Sequence, residues 1–82
     1  MDAVHALRSF IVQELNYKGT PDRLTHDYPL LENNVVDSLG LFMLVSFIEE
    51  QFGVEVGHEE LVPENFGTLG AMSKLIERKR VG

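Results

Sequence analysis

Few residues in this chain could do chemistry. The stretch NNVVDSLGLFML, Asn33 to Leu44, sets the hydroxyl of Ser38 between the carboxylate of Asp37 and a long apolar run. A serine nucleophile needs an adjacent general base and a group to orient that base, and neither a GxSxG elbow nor an SxxK pattern is present. The histidines, His5, His26 and His58, lie in three separate segments, and each reads as a surface residue. With no Cys there is neither a thiolate ligand nor a disulfide. GHEE at positions 57–60 lacks the ligand spacing of a zinc helix, and no segment has an EF-hand pattern. Neither an enzyme nor a metal site is expected.

An Asp-Ser pair has an ordinary use at the start of a helix, because both side chains cap free N–H groups. Capping takes only one of them. Asp37 is therefore expected to cap, with Ser38 in the first turn and its hydroxyl outward. The free N–H donors and partial positive charge of a helix N-terminus would support an anionic group carried on that hydroxyl.

The elements that place this pair follow from periodicity. Val4, Leu7, Ile11 and Leu15 form one stripe with Phe10 beside it, which predicts a helix from about Asp2 to Asn16. Asp2 suits its positive end, and Gly19 lies just past its last turn. The stretch from Tyr17 to Asp37 is a long connection containing Gly19, Pro21 and Pro29. Leu24, Tyr28, Leu30, Leu31, Val35 and Val36 should pack it down.

A second helix starts at Asp37 or Ser38 and ends at Gly53, with Leu39, Phe42, Phe47 or Ile48, and Phe52 recurring at helical steps. Its apolar residues are so dense that much of its circumference must be core or interface. Glu49, Glu50 and Gln51 mark the solvent side of the last turn. Carboxylates there oppose the helix dipole by about 0.3–1 kcal/mol, so they serve something other than helix stability.

VEV at 54–56 is expected as an extended connector, His58 to Leu61 as a short helical turn, and PEN at 63–65 as its breaker. The last helix uses Thr68 as N-cap and turns Leu69, Met72, Leu75 or Ile76 inward. Lys74, Arg78, Lys79 and Arg80 complement its negative end as a solvated basic tail. The fold class is all-α: a small antiparallel bundle of three main helices plus one short helix, with a long loop between the first two, in one domain over 1–82.

Charge narrows the partners. The net charge is −6. Between Leu24 and Ser73 there is no Lys or Arg, whereas Asp27, Glu32, Asp37, Glu49, Glu50, Glu55, Glu59, Glu60 and Glu64 are all acidic. Such a surface repels phosphate backbones and favours partners with basic patches, so nucleic acid is not an expected ligand. MDAVHALRSF lacks the features of a secretory signal, and no stretch is long and apolar enough for a membrane span. A cytoplasmic monomer without membrane contact is expected.

LLENNVVDSLGLFMLVSFIEEQFGVEV resembles the phosphopantetheine-attachment region of acyl and peptidyl carrier proteins, in which Asp-Ser-Leu opens the second helix and Glu-Glu-x-Phe-Gly closes it. HEELVPENFGTLGAM is similar to their short third helix and the entry to the last, so the likeness runs over about residues 3–79. It implies that Ser38 accepts a phosphopantetheine arm from coenzyme A, delivered by a phosphopantetheinyl transferase. The terminal thiol of the arm would hold an acyl or aminoacyl group as a thioester, which accounts for a chain with no Cys. Asp37 and Leu39 would flank the attachment point, and Glu49 and Glu50 would match the acidic docking face of the family. Loading and downstream synthase enzymes with basic or apolar patches are the partners implied.

Carriers of fatty-acid synthesis usually have an acidic residue directly after Asp-Ser-Leu, whereas Gly40, Leu41, Phe42 and Met43 follow here. A more apolar docking face is implied. Phe42 also suits the core, but Leu41 and Met43 cannot both turn inward beside Leu39, Phe42 and Leu44. Asn34 stands where many carriers have Gly, and Asn is the residue that next best tolerates the left-handed conformation. LLExxVVDS and LVPENF look most like free-standing carriers of secondary metabolism. The alternatives are a D-alanyl-type or fatty-acid carrier, or an unmodified helical adaptor.

Overall fold

The structure, a computed structural model, describes residues 3–15 and 17–81; the expectations for Asp2 and Asn16 lie outside them. Helix α1 spans Ala3–Glu14, α2 Ser38–Phe52, α3 Pro63–Phe66 and α4 Leu69–Val81, and there is no strand among the described residues. α1 buries Val4, Leu7 and Ile11, the stripe its spacing predicts. α4 packs on α1, α2 and α3 through Leu69, Met72, Leu75 and Ile76, all buried. Thr68 caps α4 as expected, its Oγ1 accepting the Ala71 N–H at 3.0 Å. Phe10 of α1 stacks on Phe47 of α2 with ring centroids 4.4 Å apart, and Phe52 meets Phe47 edge-on at 6.3 Å.

The rotation of α2 about its axis differs from the expected stripe. Gly40, Leu44 and Ile48 are its buried positions, four residues apart, while Leu39 and Phe42 are 69% and 70% exposed. Gly40 explains the offset. A Cβ at this position would lie 3.2 Å from Leu15 Cδ1 and 3.3 Å from Asp37 Oδ1, so its bare backbone makes room for Leu15, just past the end of α1, against the head of α2. A face led by glycine is invisible to a reading that looks for large apolar residues. Phe42, which also suited the core, is thereby turned outward.

The connection between α1 and α2 is packed down at Leu24, Leu30 and Val36, with Tyr28, Leu31 and Val35 half-buried. It has more regular structure than expected. Pro21–Arg23 forms a 3-10 turn, and a hydrogen-bonded series of turns runs from Leu30 to Asn34. Arg8 Nε donates to the Leu24 carbonyl at 2.8 Å, the Leu30 N–H to the Gly67 carbonyl at 2.8 Å, and the Gly70 N–H to the His26 carbonyl at 3.0 Å. Its final turn passes through Asn34 at φ 58, the left-handed conformation expected there. The Val35 and Val36 N–H groups then both reach the Leu30 carbonyl, which drops Val36 into the core just ahead of Asp37.

After α2, Gly53 caps the C-terminus at φ 67 and the chain returns without regular structure through residues 54–57. His58–Glu60 is a 3-10 turn. PEN does not break a helix; it begins one. Pro63 is the first residue of α3, where its fixed φ and missing N–H are suited to the helix, and the turn carries Phe66 into the core at 1% exposure. The basic end of α4 is only partly a solvated tail, because Lys79 is half-buried and its Nζ lies 2.7 Å from Glu60 Oε1.

Candidate functional site

Val36 in the core and the packing of Leu15 at Gly40 fix the head of α2 from two sides. Between them Asp37 is extended, at φ −104 and ψ −169, and its Oδ1 accepts the Gly40 N–H at 2.8 Å. One carboxylate thus performs the capping. Ser38, the first residue of the helix, is exposed, and Leu39 follows it into solvent. A primary hydroxyl therefore stands at the N-terminus of a 15-residue helix with no part in the cap. The free donors and positive pole of that helix end favour an anionic substituent.

Beside Ser38 runs an open groove of about 420 Å³. Leu41, Phe42 and Val45 of α2 form one wall, and Val56, His58 and Leu61, from the returning segment, form the other. Apart from Ser38 and His58 the lining is hydrophobic. His5 and His26 lie elsewhere on the surface, and among the described residues no hydrogen bond joins Ser38 to a histidine. Nor do the described residues bring three or more His, Asp or Glu together as metal ligands. Among the described residues no helix is long and apolar enough to cross a membrane.

The expected docking residues separate into groups. Phe42 is fully outward, Leu41 and Met43 are half-buried, and Glu50 is exposed. Glu49 is not a free solvent-side carboxylate: its Oε2 accepts the Val56 N–H at 2.9 Å, which supplies the reason for an acidic residue in the last turn. Sequence reasoning missed the second groove wall. The available signal was Gly53, whose left-handed turn sends residues 54–61 back beside α2.

Comparison with known proteins places this geometry in a family. No family model matches the chain. It is 40% identical over 60 residues to the probable acyl carrier protein PigG of a Serratia species, an overlap of 73% of this chain and 69% of that one. The chain belongs to the acyl carrier protein family. The solution structure of a holo acyl carrier protein from Nitrosomonas europaea overlays it over the full length of both chains, with a TM-score of 0.82 and 28% identity. A chain in the crystal structure of an FAD-dependent dehydrogenase matches 85% of this carrier with 97% of its own length, at a TM-score of 0.75 and 34% identity.

Acyl carrier proteins hold their cargo as a thioester on a phosphopantetheine group, and this carrier has the same all-helical fold and the same prosthetic group. The head of α2 fits that group: a primary hydroxyl free for a phosphodiester, a helix N-terminus beneath it, and a largely apolar groove alongside.

Proposed function

We propose that Ser38 is the attachment residue, and that this carrier presents acyl or aminoacyl units to the enzymes of a secondary-metabolite pathway. The observation that carries this reading is the division of labour at the head of α2, where Asp37 caps and Ser38 exposes its hydroxyl. When bound, phosphopantetheine supplies the thiol that this Cys-free chain lacks. The chain's own residues hold and present it. Asp37 fixes the first turn and is also available to the transferase and its metal ion. Leu39 and Phe42 flank the attachment point as an apolar platform, and the groove beside Ser38 offers the arm a surface to lie along. The likeness to PigG and the absence of charge from Ser38 to Ile48 support a free-standing carrier of secondary metabolism.

The proposed partners are a phosphopantetheinyl transferase, a loading enzyme and downstream enzymes that dock on Leu39, Leu41, Phe42, Met43 and Glu50. Apolar contact supplies most of the affinity, and Glu50 supplies orientation towards a basic patch. A chain of carrier size in the crystal of an FAD-dependent dehydrogenase supports a flavin-dependent dehydrogenase as one downstream partner. A cytoplasmic location is proposed with it, since the donor of the arm is coenzyme A.

The test is intact-mass measurement after incubation with coenzyme A and a promiscuous phosphopantetheinyl transferase. Wild type should gain one phosphopantetheine group and Ser38→Ala none. If wild type gains nothing while a known carrier is modified in parallel, the adaptor reading takes its place.

A further inference from the structure

The groove wall facing Ser38 has no backbone ladder to hold it. Residues 54–57 have no regular structure, and the N–H groups of Val56 and Gly57 are both taken by side-chain carboxylates. Val56 donates to Glu49 Oε2 at 2.9 Å and Gly57 to Glu60 Oε1 at 2.7 Å. The same Glu60 oxygen accepts from Lys79 Nζ at 2.7 Å, a contact that spans 19 residues of sequence, and Asn65 Nδ2 donates to the Glu60 carbonyl at 3.0 Å. One carboxylate comes from the last turn of α2 and the other from the 3-10 turn, with α4 behind it. Hydrogen bonds to ionised acceptors are short and about twice as strong as neutral ones, so they suit a segment with no partner strand.

We propose that Glu49, Glu60 and Lys79 are positioning residues, a three-point strap that fastens Val56, His58 and Leu61 as the wall opposite Ser38 and so sets the width of the groove. None of the three lines this groove. They act through the backbone of residues 56 and 57, and only Val54, among the core residues, anchors the segment from within. The acidic end of α2 thus has two jobs on adjacent residues. Glu49 belongs to the strap, and Glu50 is left for partners.

The strap can be tested on the apo protein, so its outcome is separate from whether Ser38 carries the arm. Amide hydrogen exchange and methyl chemical shifts are measured on the full chain for Glu49→Ala, Glu49→Gln, Lys79→Met and Lys79→Arg. Glu49→Ala should speed exchange at Val56 by about tenfold, the scale of one charge-assisted hydrogen bond, with Leu44 and Ile48 unchanged. Glu49→Gln keeps an acceptor oxygen and should retain most of the protection. Lys79→Met should raise exchange at Gly57 and shift the Val56 and Leu61 methyls, and Lys79→Arg should restore both. Unchanged exchange at Val56 and Gly57 would overturn the proposal. So would a rise at all amides together, or a Gln variant as loose as the Ala variant.

Discussion

Removing the two side chains at the head of α2 one at a time should have opposite effects on stability and on function. Asp37 Oδ1 satisfies the Gly40 N–H at 2.8 Å, and the loss of such an N-cap costs about 0.5–2 kcal/mol, typically ~1. In a domain of this size 1 kcal/mol corresponds to roughly 4–8 °C in Tm, so Asp37→Ala should melt about that much lower. Asp37→Asn keeps an acceptor oxygen and should melt near wild type. Ser38 is exposed and bonded to nothing in the cap, so Ser38→Ala should stay within about 0.5 kcal/mol of wild type. The assay is thermal unfolding followed by far-UV circular dichroism on apo protein, with transferase loading scored by mass on the same samples. Ser38→Ala should be stable and unloadable, while Asp37→Ala should be less stable but still bear the hydroxyl. If Ser38→Ala lost as much Tm as Asp37→Ala, the hydroxyl would belong to the cap, and the reasoning that frees it for attachment would fail.

Three further outcomes are expected. Leu39→Ser and Phe42→Ser should leave chemical denaturation midpoints almost unchanged, since both side chains are about 70% exposed, yet weaken co-precipitation or kinetic KM with a loading enzyme by roughly tenfold or more. Asn34→Gly should fold as well as or better than wild type, whereas Asn34→Val, β-branched at φ 58, should lose about 1–2 kcal/mol in urea unfolding. The hydrogen bond from Lys79, then that from Gly57, hold the Glu60 carboxyl below the ordinary glutamate value of 4.5. The stability it contributes is therefore present above that value and lost as pH falls through the lowered one. Acid titration followed by NMR should show Gly57 responding below pH 4.5, with the onset moved upward in Lys79→Met.

Much of this is legible in the sequence. The stripes of α1 and α4, the Thr68 and Asp37 caps, the left-handed turn at Asn34 and the exposed Ser38 all follow from short-range rules, because each depends on neighbours within about four residues. The groove was not legible, since its second wall is held by bonds from Glu49 and Glu60, with Lys79 arriving from a distant helix. The rotation of α2 was misjudged for a related reason. Its inward face begins with Gly40, and what decides that face is the approach of Leu15, just past the end of α1. Turn rules alone make Pro63 a terminator, whereas Val62, extended at φ −126 ahead of it, makes it an initiator; the short helix in this stretch is legible from the resemblance to carrier proteins.

The narrow inward face of α2 bears on how such a protein can change over time. Only Gly40, Leu44 and Ile48 are buried on this helix, with Phe47 stacked on Phe10 beside them, which leaves outward positions such as Leu39, Phe42, Ser46 and Glu50 open to substitution. Mutations there alter what the helix offers to other proteins while the packed positions keep it in place. Retargeting such a protein from one set of enzymes to another therefore needs no passage through a poorly folded ancestor. A graft of these surface positions alone is the smallest change that could make two similar chains ignore each other's enzymes in one cell.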